Sequence, residues 1–196
     1  MLWIIVGLGN PGEEYKNTRH NTGRAALEYF AAHNELPEIK EDKRNKISIS
    51  RGALAKATVM LIAPDTYMNK SGSAIAKYVK SAKAAQQLIV IYDDLDLPLG
   101  TMKVSFDRGS GGHKGLESVI RAVKTRKFTR VRIGISPTSV SGKLKKPNGD
   151  KAVQDFILGA FSTSERELTR RIFRKASDAV RAVIEEGLQR AMNEFN

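Results

Sequence analysis

The sequence contains no cysteine. That absence removes a disulfide framework, a thiolate nucleophile and any zinc site built on thiolates. Histidine is nearly as scarce, with copies at positions 20, 33 and 113 only, which gives no near spacing for a three-histidine catalytic metal site. Long apolar runs are missing as well. The stretch from Trp3 to Leu8 is too short for a secretory core and lacks a basic flank, so the chain is expected in the cytoplasm. Acidic residues are in deficit, 21 Asp+Glu against 33 Lys+Arg, for a formal net charge of +12. Such an imbalance attracts polyanions and speeds their encounter, which makes nucleic acid the favoured partner. What is present, 196 residues at 41% hydrophobic content, suffices for one domain with a real core.

The opening run Leu2-Trp3-Ile4-Ile5-Val6 is continuously apolar and reads as a strand buried on both faces. Further strand-like runs fall near residues 47–50, 58–62, 88–92, 101–106 and 131–135, and helical patterns alternate with them at 24–34, 69–80, 116–123 and 164–191. Ser164 and Glu167 offer a capping box for the last of these. In it Leu168, Ile172, Ala176, Ala179, Val183 and Leu188 share one face, with Arg166, Arg170, Arg174 and Arg181 elsewhere. The alternation predicts an α/β fold: a single-domain three-layer sandwich, a twisted mixed sheet flanked by helices, with a hairpin around 47–62. Residues 138–151, rich in Gly, Pro and lysine (Lys143, Lys145, Lys146), read as a mobile basic loop.

Gly7, Gly9 and Gly12 after the first strand fit G-x-G-x-x-G, the dinucleotide-binding fingerprint. Its context fails. Pro11 sits inside the motif, Glu13 and Glu14 follow it, and the next helical pattern begins only near Thr22, so no helix N-terminus stands ready for a pyrophosphate. His20 lies instead in polar sequence between this turn and a helix start, where an imbedded core histidine is the less natural reading and a general base near pH 7 the more natural one. Asp93 ends an apolar strand, the place where site residues gather in an open α/β sheet, and a carboxylate there can orient an imidazole. Asp93, Asp94 and Asp96 together raise a magnesium-dependent rival, weakened because strand alternation sends Asp94 away from Asp93. Asn10 and Asn69 offer neutral amides for a carbonyl or a water, and serve equally as turn and cap residues. Gly111-Gly112-His113-Lys114-Gly115 reads as a flexible loop entering a helix, with backbone N–H groups suited to phosphate or an oxyanion.

Four segments in this order, Val6-Gly7-Leu8-Gly9-Asn10-Pro11-Gly12 through Arg19-His20-Asn21-Thr22-Gly23, Pro64-Asp65-Thr66-Tyr67-Met68-Asn69-Lys70-Ser71-Gly72, Tyr92-Asp93-Asp94-Leu95-Asp96-Leu97-Pro98 and the Gly111 to Gly115 loop, closely resemble the bacterial-type peptidyl-tRNA hydrolases. The resemblance implies a monomeric esterase, free of metal and cofactor, that cuts the bond between a peptide and the 3′ ribose of tRNA. It implies His20 as the base that activates water, Asp93 as its partner and Asn10 near the scissile group. Tyr15, Tyr67, Asn69 and His113 match substrate-contacting positions, while Arg132, Lys103 and the basic loop would meet phosphates of the acceptor stem. The family carries asparagine where this chain has Lys114, read here as a further phosphate contact. A binding-only role is the alternative, since a plant-organelle relative acts in intron splicing.

Overall fold

The computed structural model describes all of residues 1–196. Seven strands, β1 (Leu2–Gly7), β2 (Lys40–Asp42), β3 (Ile47–Leu54), β4 (Ala57–Pro64), β5 (Leu88–Pro98), β6 (Met102–Phe106) and β7 (Thr129–Ser136), form one mixed sheet in the order β2-β3-β4-β1-β5-β7-β6. The four central strands β4, β1, β5 and β7 run parallel, while the β3–β4 hairpin and the β6–β7 and β2–β3 pairs are antiparallel. Seven helices pack around it: α1 (Thr22–His33), α2 (Ser71–Ile75), α3 (Ala82–Ala85), α4 (Lys114–Val123), α5 (Asp150–Leu158), α6 (Thr163–Glu185) and α7 (Leu188–Phe195).

The continuous apolar run of β1 follows from its central place. Ile5 joins the core between the sheet and α1, α6 and α7, whereas Ile4 and Val6 join the core beneath α2 and α4. Side chains alternate faces along a strand, so a strand covered on both sides carries no polar alternation. Three layers result, as expected. No helix is long and apolar enough to cross a membrane.

The structure departs from expectation in five places. The segment expected as one helix over 69–80 holds only a 3-10 turn, Met68–Lys70, and the short α2; its apolar positions Ala74, Ile75 and Val79 are buried all the same. The capping box lies two residues earlier than Ser164 and Glu167: the Ser162 hydroxyl accepts from Glu165 N–H at 3.3 Å, and Glu165 Oε2 accepts from Ser162 N–H at 2.7 Å. That helix also stops at Gly187, whose φ of 96° only glycine adopts readily, and resumes as α7. Leu168 is 43% exposed and lies off the buried stripe, which takes Thr169 instead. Finally, residues 150–151 of the expected basic loop belong to α5, an element with no buried residue.

The glycines of the first turn serve packing rather than phosphate. A Cβ on Gly23, at the start of α1, would lie 2.2 Å from the Ile91 carbonyl oxygen and 2.8 Å from the backbone of Leu8. Backbone atoms of two strands cannot step aside, so α1 approaches β1 and β5 only because position 23 has no side chain. Gly23→Ala is expected to destabilise the fold by about 2–3 kcal/mol, the scale of overpacking a rigid site; thermal unfolding within a degree of the parent would contradict this packing account.

Candidate active site

The site grows from the carboxyl ends of β1 and β5. Leu8 continues β1 by donating its N–H to the Ile91 carbonyl at 3.0 Å, and accepts from Arg24 N–H at 2.9 Å, which fixes where the chain leaves the sheet and where α1 begins. Between these points two 3-10 turns, Glu13–Tyr15 and Arg19–Asn21, fold the chain back and carry His20 over the end of β5. Arg19 clamps this second turn: its guanidinium donates to the Ala160 carbonyl at 3.0 Å and to both Glu165 oxygens at 3.0 Å, and stacks on the rings of Phe156 and Phe161.

Asp93 is 3% exposed, and each of its oxygens meets a different histidine. His20 Nδ1 lies 2.9 Å from Oδ2, and His113 Nε2 lies 3.1 Å from Oδ1. The tautomers follow from the remaining partners. Leu116 N–H donates to His113 Nδ1 at 3.1 Å, so that nitrogen is an acceptor and the His113 proton resides on Nε2, facing Asp93. His20 likewise gives its Nδ1 proton to the carboxylate and keeps Nε2, which has no protein partner, as a free base on the cleft side. Tyr92 packs edge-on against His113, ring centroids 5.0 Å apart, and holds that ring in place.

Burial alone would push the Asp93 carboxyl up, but the two facing imidazoles and their hydrogen bonds hold it well below the usual carboxylate range. Burial also works against a charged His20; the Asp93 charge and hydrogen bond outweigh it, Lys114 acts in the opposite sense, and the net result is a His20 pKa raised above its ordinary value. Burial, with Asp94 adding, pushes the Tyr92 hydroxyl up to about 12, so it stays neutral.

His20, Asp93 and His113 place their ligand-type atoms within 4.8 Å of one another, as three metal ligands would. Their hydrogen bonding does not suit an ion. For His113 Nε2 to ligate, its proton would have to move to Nδ1, where it would oppose the Leu116 N–H. The other acids are engaged elsewhere, Asp94 with Arg132 Nε at 2.7 Å and Asp96 with Lys146.

Asn10 lines the same cleft as this pair. Its backbone N–H donates to Asn21 Oδ1 at 2.8 Å, and its carbonyl accepts from Asn21 Nδ2 at 2.9 Å. Its own Oδ1 accepts from Met68 N–H at 2.8 Å, which turns the Nδ2 protons toward the cleft. The cavity, about 570 Å³, is lined by Asn10, Tyr15, His20, Asp93, His113 and Lys114 together with Val153, Gln154, Ile157 and Leu158 of α5. Tyr67, 62% exposed, and the exposed Asn69 flank Met68 beside the cleft rather than in it. Lys103 is exposed on β6 opposite Arg132 in the β6–β7 register, and the structure brings neither into the cleft. The sequence reading missed Asn21 and the α5 wall. Asn21 follows His20 directly but resembles any helix-start asparagine, and the apolar spacing of Val153, Phe156 and Ile157 lasts barely two turns.

A single-domain α/β fold with an imidazole–carboxylate pair in a sheet-end cleft defines a hydrolase-type site. The family profile described as peptidyl-tRNA hydrolase matches residues 4–196, and the chain belongs to that family. A peptidyl-tRNA hydrolase of Chloroflexus aggregans is 39% identical over 198 residues, covering 100% of this chain and 99% of that protein. One from Carboxydothermus hydrogenoformans is 36% identical over 196 residues, covering 100% and 98%. The crystal structure of the Acinetobacter baumannii peptidyl-tRNA hydrolase superposes with a TM-score of 0.87 at 31% identity, covering 100% of this chain and 94% of that one.

Asn21→Ala is expected to leave the Asn10 backbone N–H and carbonyl without partners in a buried turn, at a cost of about 1–3 kcal/mol. Urea unfolding measures it; a midpoint equal to the parent's would remove Asn21 from the support of Asn10.

Proposed function

We propose that this chain hydrolyses the ester joining a peptide to the 3′ ribose of tRNA, freeing both, with a water activated by His20. The observation that carries the reading is the buried Asp93 carboxylate that leaves His20 Nε2 free on the cleft side. Membership of the peptidyl-tRNA hydrolase family supports the substrate.

In this reading His20 Nε2 takes a proton as water oxygen attacks the ester carbonyl. Asp93 stabilises the imidazolium so formed, as a triad aspartate does. The Asn10 Nδ2–H groups face the carbonyl side and donate to its developing oxyanion. As the tetrahedral intermediate collapses, the carbon to ribose-oxygen bond breaks and that oxygen takes the proton back from His20. An activated ester with one positioned water requires neither a covalent nucleophile nor a metal. The excess positive charge draws the tRNA in, with Lys103 and the lysines of the 138–151 segment meeting phosphates and giving little sequence readout. Arg132 contributes less than the sequence suggested, because Asp94 already holds its Nε. In the same reading Tyr67, exposed next to Met68, stacks on a 3′-terminal base.

His20→Ala is expected to lower kcat on N-acetylated aminoacyl-tRNA by roughly 10²- to 10⁴-fold while tRNA binding persists; turnover within about twofold of the parent would remove His20 from its role. Hydrolysis is expected to continue in EDTA, and chelator-sensitive activity restored by a divalent ion on a small ester would favour a metal hydrolase. Asp93 raises the His20 pKa, and the neutral imidazole is the active form, so activity climbs as pH rises through that raised value. Asp93→Asn is therefore expected to lower both the plateau and the midpoint of the pH–rate profile; if neither moved, the two residues would not communicate.

A further inference from the structure

In a chain with formal net charge +12, the charged residues that line the cleft are mostly acids. Asp93, Asp94, Asp96 and Asp150 face it, and Lys114 is its one Lys or Arg. Three of the four carboxylates have partners: Asp93 meets two imidazoles, Asp94 meets Arg132 and Asp96 meets Lys146. Lys114 has no ion-pair partner and its side chain is exposed to the cleft. It is the first residue of α4 and follows His113, whose ring centroid lies 4.9 Å from that of His20. An unpaired ammonium thus lines the same cleft as the imidazole pair, at a helix N-terminus whose dipole has the same sign.

We propose that Lys114 is a positioning residue acting through His20: its unpaired ammonium, on the wall of the same cleft, opposes the charging of the imidazole and so lowers the pH above which the base is free. The proposal rests on the peptidyl-tRNA hydrolase reading for its effect on turnover, but the field on His20 exists without substrate. The groups facing His20 are few. Asp93 from β5 favours its charged form; His113 and Lys114 come from the start of α4; Tyr92 is neutral, Tyr15 lies on the preceding turn, and Asp150 faces the cleft from α5. Arg19, on the same turn as His20, is turned away into Glu165. Asp93 and Lys114 are therefore opposed charges acting on one base, Asp93 the stronger, with the Lys114 charge working to lower its pKa.

The alternative role, a phosphate contact, makes a different demand. A phosphate handle changes affinity and its salt dependence by about one ion's worth and leaves the titration of His20 in the free protein alone. A field on His20 moves that titration with no tRNA present.

The experiment uses the full chain as the parent, Lys114→Asn and Lys114→Glu. The His20 ring is titrated by NMR without substrate, and the pH dependence of single-turnover hydrolysis is measured on N-acetylated aminoacyl-tRNA. Lys114→Asn is expected to move both midpoints upward. Lys114→Glu is expected to move the His20 titration about twice as far, since Coulomb energy is linear in charge, and high salt should shrink both displacements. Coincident His20 titrations in the three proteins would overturn the proposal, and with a reduced salt slope of tRNA binding would assign Lys114 to phosphate instead. A parent that fails to hydrolyse the substrate at any pH would overturn the functional reading, while the NMR titration still decides the role of Lys114.

Discussion

A single buried carboxylate shared between two imidazoles organises this molecule. Stripping a carboxylate of water is costly unless its lone pairs are met by donors, and Asp93, at 3% exposure, meets that requirement by drawing His20 and His113 from segments far apart in sequence. Each histidine then has one nitrogen assigned. For His113 the other nitrogen is taken by the Leu116 N–H, so it serves as scaffold and N-cap of α4. For His20 the other nitrogen is left to the cleft. Removing either ring would leave part of a buried charge unmatched, so the pair is structural and chemical at once.

The supports of this arrangement reach through both layers of helices. β1 and β5 lie side by side at the sheet centre, and Gly23 lets α1 approach their backbones closely enough to fix the turn that carries His20. Arg19 ties the same turn to α6 through Glu165, a residue that also completes the helix cap at Ser162. The α5 wall is held between these fixed points rather than by burial of its own residues. The distribution of charge follows the same logic. Basic residues elsewhere on the protein supply long-range attraction for a polyanion, whereas in the cleft Asp94 and Asp96 are paired with Arg132 and Lys146, and Lys114 is the one lining Lys or Arg.

Much of this could be read from the chain. β1 announced itself because a doubly covered strand has no polar alternation, and His20 and Asp93 stood out as polar residues after a glycine-rich turn and at the end of an apolar strand, whereas Asn10 read as a turn residue until the family resemblance singled it out. The β3–β4 hairpin and the three layers came from the same periodicity. Other features had no local signal. The Asn10–Asn21 exchange depends on a turn geometry that neither asparagine announces, and the α5 wall faces a cavity, so its apolar residues mimic an exposed loop. The capping box read at Ser164 and Glu167 falls instead at Ser162 and Glu165, where Glu165 is also held across the chain by Arg19. Arg132 looked like a free phosphate ligand because its partner, Asp94, lies on the neighbouring strand and not nearby in sequence.

The central claim, that one carboxylate fixes both imidazoles and leaves His20 Nε2 as the base, is tested most directly by two-bond ¹⁵N–¹H correlation NMR of the three histidines at a pH where they are neutral. The expected result is His20 protonated on Nδ1 and His113 protonated on Nε2. A His20 ring carrying its proton on Nε2 would leave no free base facing the cleft and would contradict the account.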